Sequence, residues 1–162
     1  MDSNGDSSGV VDVATLFAGF EQAFFRWQSV QHAPQQPTQT FIPLFEVLEW
    51  AACIDERLGY IKWSPDLRGL RWARHRCRHD WAMVLEVRTR EQLRLPANVD
   101  RESVPEQEWA WREHLPEAKR VPQRLRTDEP HYNAQLAGQA ARVTLNLVRA
   151  FFGELCPHYP SV

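Results

Sequence analysis

The chain reads as an all-α protein, a four-helix up-and-down bundle with a long proline-rich insertion before its last helix. Three observations predict this. Apolar residues recur at spacings of three and four in four separate stretches, the period of helices that bury one face. Helix-start residues precede each stretch: Asp12, Thr40, Ser64-Pro65 and Asp128. Between the third and fourth stretches, residues 93–130 hold Pro96, Pro105, Pro116, Pro122 and Pro130, many charges and few aliphatics.

The first helix is expected from Asp12 to about His32, with Val13, Leu16, Phe17, Phe20, Phe24 and Trp27 along its core stripe. Ala33 to Pro37 breaks it and forms a short link. Thr40 is expected to cap the second helix, with Pro43 in the first turn and Gly59 just past the end. Its core face is Leu44, Val47, Leu48, Ala51, Ile54 and Leu58. Glu46, Glu49, Asp55 and Glu56 lie around the rest and are expected in solvent, or else paired with an arginine of the third helix. Tyr60 to Trp63 is a connection. Ser64-Pro65-Asp66 then supplies an N-cap, a proline at N1 and a first-turn carboxylate, starting a third helix that runs to about Arg90.

Within the insertion, Trp109 to Arg112 alternates in strand fashion, and Leu85 to Val87 can supply a partner strand for a small hairpin. Its two tryptophans either pack over the end of the bundle or stack on RNA bases. Lys119 to Arg126 is a basic patch. The last helix is expected unbroken from Asp128 to about Leu155, on a stripe of Tyr132, Leu136, Ala140, Val143, Leu147, Ala150 and Phe151. One domain, residues 12–156, is therefore expected between a flexible acidic tail at 1–11 and a short tail at 157–162.

Composition narrows the function classes. Of 162 residues, 43% are hydrophobic and seven are Trp, which excludes a disordered chain. The net charge of −2 excludes a protein basic all over, yet residues 68–90 hold seven arginines against Asp80 and Glu86. Lys62 and Lys119 are the only lysines, and arginine suits two-pronged contacts to phosphate. Cys53, Cys77 and Cys156 form no CxxC pair, so buried free thiols in a reducing cytoplasm are expected, with no disulfide framework. No apolar run reaches the length of a membrane span, and the amino-terminal residues lack a signal-like core.

The chemistry gathers on the third helix, over Gly69 to Trp81. Leu70, Ala73, Cys77, Trp81 and Val84 share one face of an ideal helix, with Arg74 at its edge. His75 and His79 share the far side with Arg71, Trp72 and Met83. Apolar residues on two faces suggest covering by the bundle on one side and by a second subunit on the other. Cys77 points about 160° from His79, so His75, Cys77 and His79 cannot hold one metal ion.

Arg74-His75-Arg76-Cys77-Arg78-His79 is an arginine, a polar residue, three variable residues and a histidine. On a helix of an all-helical chain this resembles the motif of the HEPN domains, many of which are ribonucleases. The resemblance covers the motif helix and, loosely, the helix count. It implies metal-independent cleavage of RNA in a cleft between two protomers, with the 2′-hydroxyl attacking the adjacent phosphate and no cofactor. Arg74 would then neutralise the phosphate and His79 act as general acid or base. His75 would fill the polar position, and Arg71 and Arg78 would support substrate binding. A toxin or antiviral effector restrained by an antitoxin-type protein would fit that role. The chain departs from the motif in the crowding of Arg71, Arg76 and Arg78, which also suits binding without cleavage. The alternatives are a non-catalytic module for RNA, nucleotide or dimerisation, and a structural bundle in a larger assembly.

Overall fold

A computed structural model describes residues 11–31, 37–60, 64–118 and 120–155. Most of the expected tails, the Ala33–Gln36 part of the first link, Ile61 to Trp63, Lys119 and Cys156 lie outside the described residues. The chain is mostly helical, with a small antiparallel hairpin. Helix α1 spans Val13–Val30, α2 Pro37–Arg57 and α3 Pro65–Asp80. Strands β1 (Leu85–Thr89) and β2 (Gln107–Trp111) follow. Two short helices, α4 (Gln123–Arg126) and α5 (Glu129–His131), lead into a π-helical turn at Tyr132–Leu136, and α6 spans Ala141–Leu155. No helix among the described residues is long and apolar enough to cross a membrane.

Local chemistry fixes the helix starts. The Asp12 carboxylate accepts from the Thr15 N–H at 2.8 Å, and the Ser64 hydroxyl accepts from the Leu67 N–H, each satisfying a donor the helix itself leaves open. Helix α2 begins at Pro37, three residues before Thr40, because proline needs no N–H partner in a first turn. Thr40 is consequently buried inside the helix and does not cap it.

The long helices meet in antiparallel pairs. Arg26 bonds Glu46 at 2.9 Å, while Gly19, seven residues earlier, faces Trp50. Arg74 bonds Glu49 and Arg71 bonds Asp55, so α3 runs against α2. Phe20 meets Phe152 edge-on at 5.3 Å and Glu21 holds Arg149 at 2.7 Å, so α6 runs against α1. The core between them is Phe17, Phe20, Phe24 and Trp27 of α1, Leu44, Val47, Leu48 and Ile54 of α2, Leu67, Leu70, Ala73 and Cys77 of α3, and Leu145, Val148 and Phe152 of α6. These follow the stripes the periodicity predicts for the first two helices, and Leu70, Ala73 and Cys77 of the third.

Two helices depart from expectation. Helix α3 stops at Asp80, not near Arg90, because Trp81 takes a left-handed conformation (φ 53°) and the Ala82 N–H turns back to the Arg76 carbonyl at 3.1 Å. The next residues enter the hairpin, with Leu85 opposite Trp111 and Thr89 opposite Gln107. Trp81 therefore leaves the core stripe and stands 73% exposed. The last helix is also broken, at Ala137 to Ala140. There Gly138 adopts φ +77°, and the segment bonds β2 through Gly138 N–H to the Trp111 carbonyl (2.8 Å) and Trp111 N–H to the Gln139 carbonyl (2.9 Å). Beyond the break the buried face is Ala141, Thr144, Leu145, Val148 and Phe152, and Leu147 of the expected stripe is exposed.

The insertion is built, not slack. The hairpin is as expected, and its tryptophans belong to the core. Trp111 is fully buried with its indole N–H on the Thr144 hydroxyl at 3.1 Å, and Trp109 is nearly as buried. Neither is open to a base. Leu93, Val104, Ala110 and Ala140 form a small second cluster over the other side of β2. Cys53 is exposed, against the expectation of burial, whereas Cys77 is buried, which pushes its thiol up to about 12.

Candidate functional site

The motif lies in the second half of α3, and the fold divides its side chains between two environments. Arg71, Arg74 and Arg78 recur at spacings of three and four and turn towards α2. Arg74 donates from Nε and Nη2 to the two oxygens of Glu49, both at 2.9 Å, a two-pronged grip that leaves Nη1 over. Arg78 reaches the same carboxylate through Nη1 at 3.1 Å. Arg71 is gripped in the same two-pronged way by the buried Asp55, with Nη2 at 2.7 Å. Burial alone would lower the Arg71 pKa, but Asp55 overrides this and raises it. Of the acids on α2, Glu49 and Asp55 are thus paired with arginines of α3, the alternative to solvation, while Glu46 makes an exposed pair with Arg26 of α1.

The other face of α3 lies under the insertion. Arg76 is buried between Asp80 (2.6 Å), the Trp72 ring (5.6 Å) and the Pro116 carbonyl, to which it donates. His75 is 4% exposed, stacked between Trp72 (6.1 Å) and His79 (4.7 Å), with Nε2 3.2 Å from the Arg120 carbonyl. A carbonyl only accepts, so Nε2 carries the hydrogen. Burial lowers the His75 pKa, and His79 adds to this, while the Arg120 carbonyl opposes it. Trp72 is thus covered by this chain's own residues, and Met83 packs against the same core. The two-faced helix needs no second subunit to explain it.

Of the residues singled out from the sequence, the fold brings Arg74 to Arg78 through Glu49, and His75 to His79 through their rings. It does not bring Arg74 to His79. Five residues apart, their side chains leave the helix about 140° from each other. Arg71 shares the α2-facing row with Arg74 but lies about 12 Å down the axis from His79. It lines an open cavity of about 440 Å³ with Tyr60, Arg68, Arg124, Leu125, Thr127 and Asp128. His79 and Arg78 are the motif side chains open to solvent, at the carboxyl end of α3. Among the described residues, no three His, Cys, Asp or Glu side chains cluster closely enough to hold a metal ion.

Sequence reasoning missed two members of this region. Glu49 stands among the acids of α2, but nothing in the sequence selects it over its neighbours. Trp81 was hidden by the expectation of a longer α3, which put it in the core. It stacks on Phe45 of α2, with ring centres 6.5 Å apart and planes 21° apart, beside Arg78 and His79. The exposed end of α3 thus carries an imidazole, the Arg78 guanidinium and an open indole, with Arg74 one turn back on the carboxylate that Arg78 also touches. No family model, curated protein or solved structure matches this chain.

Proposed function

We propose that this chain is a metal-independent endoribonuclease of the HEPN type, as the Arg74–His79 motif implies. One observation carries the reading: an exposed imidazole, His79, ends the helix on which Glu49 holds Arg74 and Arg78 in fixed orientation. Such an array suits a phosphodiester. Arg74, gripped along one edge, keeps Nη1 for a phosphate oxygen, and Arg78 adds a second positive charge. An imidazole at this position takes the proton of the 2′-hydroxyl as that oxygen attacks phosphorus, or gives one to the departing 5′-oxygen. The P–O5′ bond breaks, leaving a 2′,3′-cyclic phosphate and a 5′-hydroxyl.

Arg74 and His79 diverge on α3, so one chain presents them to different sides. A homodimer, pairing Arg74 of one copy with His79 of the other, would place both on a single phosphate. In this reading α1, α2, α3 and α6 are the four helices of a HEPN-like bundle, and the hairpin is its insertion. A toxin or antiviral effector in the cytoplasm, restrained by an antitoxin-type protein, would be its setting.

A second reading has its own observation. Glu49 compensates part of the charge of Arg74 and Arg78, which suits a module that binds RNA without cutting it. Labelled RNA incubated in EDTA with wild type, Arg74→Ala and His79→Ala separates the two. The ribonuclease reading expects cyclic phosphate ends, and a loss of about 100-fold or more in each variant at unchanged oligomeric state. Salt-sensitive binding without cleavage supports the binding module. Neither activity, across varied RNAs, removes both.

A further inference from the structure

We propose that the open face of Trp81 is a stacking platform for one base of single-stranded RNA, whose adjoining phosphate lies against Arg78 and His79. This rests on the reading that the chain engages RNA, but not on its cleaving it.

Three features point the same way. Phe41, Phe45 and Trp81 form a file of near-parallel rings, with centres 6.1 and 6.5 Å apart and planes tilted by 24° and 21°. These are offset-stacking distances, and the file ends on an indole that is 73% exposed. One more flat ring would continue it. The second feature is the backbone: Trp81 holds φ 53°, a region that bulky residues rarely adopt and that glycine normally fills at a helix end. An aromatic side chain held there, in solvent, contributes little to the core. The third is charge. Arg78 and His79 precede Trp81 by three and two residues, and Arg74 lies one turn back from Arg78. The nearby acids are engaged: Glu49 is shared by two arginines, Glu46 is on Arg26, and Asp80 is on Arg76. A positive rim around one bare ring suits a base with its phosphate.

A second copy of the chain fits this patch less well. A stable protein interface covers about 800 Å² per partner, with an apolar centre. Here the exposed apolar residues are one indole and Ile42, a turn from Phe45 on α2, and the indole follows Arg78 and His79 in the chain; among the described residues the other exposed aromatics lie elsewhere, Phe25 on α1 beneath Arg149 and Tyr60 beneath Arg71.

The test is fluorescence anisotropy with a labelled single-stranded RNA oligonucleotide and its abasic counterpart, against wild type, Trp81→Ala, Trp81→Phe and Arg78→Ala. Trp81 is mostly in solvent, so these variants should fold, and circular dichroism checks it. Trp81→Ala is expected to weaken binding roughly 5- to 150-fold. The salt dependence should not change, since no charge is removed, whereas Arg78→Ala should flatten it. Trp81→Phe should keep most of the affinity, and the quenching of tryptophan emission by RNA should fall in it. The abasic strand should bind wild type about as weakly as the intact strand binds Trp81→Ala. If Trp81→Ala binds like wild type while Arg78→Ala weakens, the platform is wrong and the RNA reading stands. If wild type binds no RNA, both fall. If Trp81→Ala changes only the oligomeric state, the patch serves a second copy and the proposal is overturned.

Discussion

Arg76 and Arg78 stand two residues apart on α3 and meet opposite surroundings. The Arg76 side chain is 3% exposed, between Asp80, the Trp72 ring and the Pro116 carbonyl. That of Arg78 is 48% exposed and leans on Glu49. The same guanidinium is a structural rivet in one place and an available cation in the other. The difference arises on the far side of the helix, where residues 113–118 and Val121 border Trp72 and Arg76. A run of arginines is therefore not one feature. Arg76 fastens the insertion to the bundle, Arg71 and Arg74 grip acids of α2, and Arg78 is left half-exposed on Glu49.

The largest expected effect tests that division directly. Arg76→Ala leaves the buried Asp80 carboxylate without its partner, and breaking a buried pair in this way costs about 3–5 kcal/mol. Arg78→Ala removes a half-exposed contact, for which about 0.5 kcal/mol or less is expected. Urea denaturation of the two variants checks both. Equal losses would remove the distinction between rivet and free cation. Next in size is Glu49→Gln, which leaves Arg74 and Arg78 uncompensated. RNA binding should then steepen in its dependence on log salt by roughly 0.7 for the added charge. Cleavage at saturating RNA should fall about tenfold, because Arg74 is no longer held on two prongs. A rise in both binding and cleavage would mean that Glu49 restrains the site and does not orient it.

How much of this was legible in the sequence depends on range. The caps at Asp12 and Ser64 were legible, because a cap bonds an N–H three residues away. The stripes of α1 and α2 were legible for the same reason: periodicity is local. The end of α3 was not. It is set where the strand from Leu85 pairs with Trp111; the sequence suggests both that strand and a helix reaching Arg90, and nothing local at Asp80 or Trp81 decides between them. Nor was the break at Ala137 to Ala140, although Gly138 marks it, because a glycine in a helical pattern is usually tolerated. The motif residues were found but not their roles. What separates Arg76 from Arg78 is a carbonyl 40 residues away, and what separates His75 from His79 is one 45 residues away. Trp72 is covered by later residues of the same chain, and Trp81 leaves the core because α3 ends before it.

Trp81 supplies a smaller effect with an unusual sign. A non-glycine residue in the left-handed region costs about 1–2 kcal/mol, so Trp81→Gly should stabilise the chain by about 1 kcal/mol, after allowing for the lost contact with Phe45. The same change should weaken RNA binding as Trp81→Ala does. A gain in stability with a loss of affinity is what a residue kept for function shows. A loss of stability would instead make Trp81 part of the packing, and would place it with Arg76 on the structural side of the comparison.

The smallest effect concerns the buried histidine on the structural side. His75 touches Trp72, His79 and the Arg120 carbonyl, with Arg76 and Asp80 as the nearby charges. Burial lowers its pKa in the fold below that of the unfolded chain. The sign follows from proton counting. Between the lowered folded value and the unfolded value near 6.5, the unfolded chain holds a proton that the native one lacks. Acid therefore favours unfolding in that window, and stability contributed by neutral His75 declines as pH falls below about 6.5. Denaturation of wild type and His75→Gln at pH 7.5 and 5.5 isolates the effect, since other titrating groups cancel in the difference. Wild type should lose more stability between the two than the variant does. A difference independent of pH would mean that His75 titrates alike in the folded and unfolded chain, and that the cover over it is looser than the hydrogen bond to Arg120 indicates.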